Sequence, residues 1–189
     1  MPDADCVSIH DYLSTHPNDK LGFVVYRLTY KDDAEWEKFM DHLNTVIRTK
    51  LEEYGDGDLF QHIDWSVQDD PSLQDLDSDQ VRERFLKWIE QDAVATEDGH
   101  DVNPPWVAYP RHMACVAVYQ IHVDHVMKDL NPSWSGQGEM GFVTLVSADR
   151  QEDDSEQEED NFAEVNVSSI FPRMYSLLGA LGWEGVWQN

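Results

Sequence analysis

The chain has 189 residues, with 38 Asp and Glu against 13 Lys and Arg, for a formal charge of −25. Repulsion on that scale excludes sequence-independent binding to nucleic acid or to an anionic membrane surface, because such binding needs Lys and Arg to neutralise phosphates. A hydrophobic share of 41%, with seven Trp, excludes a disordered chain and suits one folded domain.

Residues 1–20 are polar and read as a loose N-terminal lead, ahead of a single α+β domain over 21–189. The opening "MPDADCVSIH" is acidic and has no apolar h-region, so it is not a secretory signal. "LGFVVYRLTY" is a strand, rich in β-branched and aromatic residues and bounded by Gly22 and "KDD". Asp33 then caps a helix. Its apolar positions Trp36, Phe39, Met40, Leu43, Val46, Ile47, Leu51 and Tyr54 fall in steps of three and four, and Gly55 ends it.

"LFQHIDWSV" alternates, with Ile63, Trp65 and Val67 on one face, and reads as a half-exposed strand. Asp77 or Ser78 caps a second helix with the stripe Val81, Phe85, Trp88 and Ile89. Residues 97–110 form a loop, since paired prolines exclude a helix. "RHMACVAVYQIHV" is a central strand, and Asp124 caps a short helix to about Leu130. "FVTLVSA" is a strand, 149–161 is a solvated acidic loop, and "FAEVNV" is an edge strand. "SIFPRMYSLLGAL" is a C-terminal helix with Pro172 in its first turn.

This order implies an α+β two-layer sandwich: a mostly antiparallel sheet with helices on one face, a ferredoxin-like variant, plus a C-terminal helix. The second face needs a cover too, from the C-terminal helix or from a second copy in a homodimer.

Four features bear on chemistry. Gly136–Gly141 spell G-x-G-x-x-G, the dinucleotide fingerprint. That fingerprint works only where a strand precedes the glycines and a helix begins within them. Here a strand follows them, so they read as a glycine-rich surface loop, and no cofactor is expected. His122, Asp124 and His125 cluster in "HVDHV", but on a strand the two His point to opposite faces, and no metal site is expected. Arg27 stands inside an apolar strand of a chain short of cations, so it needs a partner or a ligand. Asp64 and His112 are its expected same-sheet neighbours, and the three form the candidate ligand-binding set. Trp106 and Trp134, in loops, are candidates for contact with a protein partner.

Cys6 and Cys115 do not make a disulfide framework, which fits a reducing, cytoplasmic setting. No apolar run approaches the roughly 20 residues that span a bilayer. No nucleophile motif, P-loop or HExxH is present, and no catalytic residue is assigned.

The ordered set "GFVVYRLTY", "DDAEWEKFMDHL", "VRERFLKWIE", "HVDHV" and "GFVTLVSAD" resembles a family of uncharacterised intracellular proteins from filamentous fungi. The likeness runs from about Gly22 to Tyr175. It implies a single folded domain and a fungal, cytosolic origin, and it transfers no site, because the family has no established activity. The residues therefore support a non-catalytic, acidic intracellular protein that binds a protein partner or a small ligand. A small cofactor-free enzyme of the dimeric ferredoxin-like type is the alternative. A nucleic-acid mimic or inhibitor of a basic protein comes third.

Overall fold

A computed structural model describes residues 3–91, 109–130, 141–148 and 161–188. Helix α1 covers Ala4–Thr15, strand β1 Val24–Arg27, helix α2 Asp33–Tyr54, strand β2 Ser66–Gln68 and helix α3 Ser78–Gln91. After one helical turn, Pro110–Met113, come strand β3 Ala114–Val118, helix α4 Gln120–Asp129, strands β4 Phe142–Ser147 and β5 Phe162–Asn166, and helix α5 Tyr175–Leu181. The fold is α+β, and the five strands among the described residues form one sheet in the order β2-β1-β3-β4-β5.

The sheet is mixed rather than mostly antiparallel. β1 pairs in parallel with both β2 and β3, while β3–β4 and β4–β5 are antiparallel. Connection length explains the parallel half. A strand can return parallel to its predecessor only over a crossover of a dozen residues or more, and α2 and α3 supply those crossovers. From β1 the chain moves one way to β2, then back across β1 to β3. Crossovers of the usual right hand that run in opposite directions place their helices on opposite faces.

The helices accordingly cover both faces, not one. The larger core holds Val25, Val116, Val118, Val143, Leu145 and Val165 against α1, α2, α4 and the C-terminal segment. The smaller core holds Val24, Tyr26, Cys115, Ala117 and Val146 against Val81, Phe85, Trp88 and Ile89 of α3. Each α3 side chain of this set contributes roughly 1.5–3 kcal/mol by leaving water. The second face is thus covered by α3. Helix α5 packs on the same side as α2, with Tyr175 edge-on to Phe23 at 5.4 Å.

The N-terminal lead is not loose over residues 4–15. Asp3 caps α1 by accepting from the main-chain N–H groups of Asp5 and Cys6, and Cys6, Ile9 and Leu13 enter the larger core. Helix α2 starts one residue earlier than expected, with Asp32 as its cap, and ends at Gly55 in the left-handed region. Asp77 and Gln80 form a reciprocal cap on α3. The strand expected over "LFQHIDWSV" shortens to β2, because Gly57–His62 make a 3-10 turn first. Helix α4 begins at Gln120, behind Tyr119, so Asp124 lies inside the helix and is not its cap. Phe171 is extended before a cis bond to Pro172, so the last helix starts at Tyr175 rather than around the proline.

Candidate functional site

In a sheet wound this way, the carboxyl ends of the parallel strands flank the place where the crossovers diverge, and ligands favour that end. Arg27 closes β1 there. It is 5% exposed. Its Nε–H donates to the Thr29 carbonyl at 2.9 Å, one terminal nitrogen donates to Asp69 at 3.2 Å, and the other donates to Asp33. The guanidinium also lies 4.5 Å from the ring centre of Tyr30 and 5.1 Å from that of Trp36. Two carboxylates, a carbonyl and two aromatic rings engage the guanidinium, so Arg27 positions the strand ends. The gap between β1 and β3 is bridged as well, since the Thr29 hydroxyl donates to the Gln120 side chain.

The open space lies one strand over. A cleft of about 410 Å³ separates the carboxyl end of β2 from α3. Its floor includes Tyr26 and Trp88, one wall carries Arg84 and Lys87, and the other carries Gln68, Asp69 and Asp70. This volume falls within the range of small-molecule sites, about 300–1,000 Å³. Asp69 joins the two regions, for it lines the cleft while holding Arg27. The Asp70 carboxyl sits below its usual range, mainly through the hydrogen bond from the Ser72 main chain, with a smaller contribution from Arg84. Arg84 and Lys87 are three residues apart on one helix face, so they can grip one anionic group together.

The three residues expected to meet do not form one set. Asp64 pairs with Arg111 at 3.3 Å and with Lys20 at 3.5 Å, not with Arg27. Arg111 has no exposed surface and also donates to the main-chain carbonyls of Leu21 and Asp64. His112 is buried against Tyr109 and Trp88, with ring centres 4.8 Å and 5.9 Å away. Trp106 and Trp134 lie outside the described residues, as do 149–160 of the acidic loop and Gly136–Met140 of the glycine motif.

Gly141, the last glycine of that motif, has φ +78°, and a Cβ there would come within 2.7 Å of Val126 on α4. It serves a tight approach between helix and strand.

His122 is 1% exposed. Its Nδ1 accepts the Tyr119 main-chain N–H at 3.0 Å, which leaves the proton on Nε2, 3.4 Å from the Thr144 hydroxyl. Burial, and to a lesser degree His125, lowers its pKa to about 4. The ring is neutral near pH 7 and packs edge-on to Phe142. Cys115 is wholly buried, and burial pushes its thiol well above the usual value.

Compared with protein families, with curated proteins and with solved structures, the chain matches none.

Sequence reasoning passed over Arg84, Lys87 and Trp88 as a group. Trp88 was legible as core, but no local pattern says that a helix face borders a strand end 20 residues earlier. Arg111 was hidden similarly, because it was grouped with a continuous strand. Its place on the turn before β3 is what carries the guanidinium to Asp64.

Proposed function

We propose that the protein is a non-catalytic binding protein whose ligand is a small dipolar molecule held in the cleft between β2 and α3. One observation carries this reading: Arg84 and Lys87 face Asp69, Asp70 and Gln68 across an aromatic floor. An anionic group meets the two cations, and donor groups meet the acidic wall. Though the net charge of −25 repels anions at long range, charges more than about 10 Å away are largely screened at 0.1 M salt, so the field in the cleft is set by its own paired cations and carboxylates. Amino acids and dipeptides have that polarity.

The test is an NMR titration with zwitterionic amino acids and dipeptides, using their carboxamides as controls. Amide shifts over 67–70 and 84–91 are expected, together with a loss of about tenfold or more in affinity in Lys87→Ala or Arg84→Ala, the scale of one charged hydrogen bond. Absence of shifts with every probe, or wild-type affinity in both variants, removes this reading.

Cytoplasmic residence is part of the same proposal, supported by two buried free cysteines that suit a reducing compartment. Among the described residues, no helix is long and apolar enough to cross a membrane. The likeness to intracellular proteins of filamentous fungi is offered on the same footing and brings no ligand with it.

A further inference from the structure

At the junction of α1 with the turn after α2, three potential metal ligands of two chemical kinds meet. His10 comes from α1, and Asp56 and Asp58 come from the turn that begins the 3-10 segment. The His10 Nε2 lies 3.0 Å from Asp56 Oδ1, and one ligand atom from each of the three residues lies within 4.8 Å of the others. Two ligands of one Zn²⁺ ion, each about 2.0–2.2 Å from it, stand at most about 4.4 Å apart. Small side-chain rotations therefore close the set.

We propose that His10, Asp56 and Asp58 bind a single divalent transition-metal ion of the Zn²⁺ kind, tying α1 to the end of α2.

The frame that holds these groups is built. Ile9 and Leu13 anchor α1 in the core on either side of His10. The Asp56 main-chain N–H donates to the Leu51 carbonyl at 2.9 Å, and its carbonyl accepts from Leu59 at 3.0 Å. Cys6, one helical turn before His10, has no exposed surface, and Asp56 stands near enough to its thiol to disfavour the thiolate.

Charge balance favours a cation, since among the described residues no Lys or Arg pairs with either carboxylate. The imidazole separates this place from the rest of an acidic surface, because nitrogen selects Zn²⁺ and its neighbours over Ca²⁺ and Mg²⁺. With three protein ligands, water completes the coordination. The site shares no residue with the cleft and stands or falls separately from it.

The experiment is calorimetric titration of the full chain with Zn²⁺ in the presence of excess Mg²⁺, with the His10 ring followed by NMR. One saturable Zn²⁺ per chain is expected, with a shift of the His10 ring signals and a loss of about tenfold or more in affinity in both His10→Ala and Asp58→Asn. Asp58 is exposed, so Asp58→Asn leaves the fold intact, which the amide spectrum checks. Binding that does not saturate at one ion, that leaves the His10 ring unmoved, or that is equal in wild type and Asp58→Asn overturns the site. His10 and Asp56 are then a hydrogen-bonded pair alone.

Discussion

At the scale of the residue, polar groups that looked available in the sequence are mostly used up by the fold. Arg27 read as a charge in need of a partner, and it has two carboxylates, a carbonyl and two aromatic faces. Its need was legible, but its partners were not, since Asp33 and Asp69 reach it only after α2 and β2 are in place. His122 gives the sharpest prediction. Its pKa is about 4 in the fold against an ordinary value of 6.5, so the unfolded chain binds more protons between those limits. Stability from this group is full above pH 6.5 and is lost as pH falls toward 4, by about 2 kcal/mol between pH 6.5 and 5. Urea midpoints across that interval, where most carboxylates stay ionised, should fall in wild type. They should fall less in His122→Gln, which keeps an acceptor for the Tyr119 N–H.

At the scale of the element, strong periodicity translated faithfully and weak periodicity did not. Helix α2 was legible because its apolar positions repeat over 22 residues and its end is marked by Gly55. Helix α1 was missed. Only Cys6, Ile9 and Leu13 are buried, and the residues between them are polar enough to hide the stripe. The glycine motif shows how a pattern can hold real information about something else. Gly141 needs both a left-handed backbone and close contact with α4. Gly141→Ala should cost about 2 kcal/mol, combining backbone strain with the overlap at Val126. Thermal unfolding checks this, and a change within a few tenths of a kcal/mol would show that α4 yields freely.

At the scale of the whole molecule, a charge of −25 opposes compaction. Exposed ion pairs such as Arg173–Asp5, with side chains 44% and 16% exposed, offset little of it, because surface pairs are worth about 0–1 kcal/mol each. Screening should therefore relieve more repulsion than attraction. Raising NaCl from low to physiological ionic strength should stabilise the fold by about 1 kcal/mol, roughly 2–4 °C in Tm for a chain of this size. A Tm that falls with salt would mean that local pairs outweigh the net repulsion.

The sequence by itself determined the α+β class, most of the strands and helices, and the burial of β1 and β3. These follow from hydrophobic period, caps and turn residues, which act over a few neighbours. Only the tertiary structure decided that half the sheet is parallel, that α3 rather than the C-terminal helix covers its second face, and that Arg111 rather than Arg27 meets Asp64. It also decided that Arg84 and Lys87 face Asp69 and Asp70, and that His10 meets Asp56. The physical reason is common to all of these. Strand direction and side-chain meetings across tens of residues depend on the path of the crossovers and on which faces bury together, and no local window of sequence records that path.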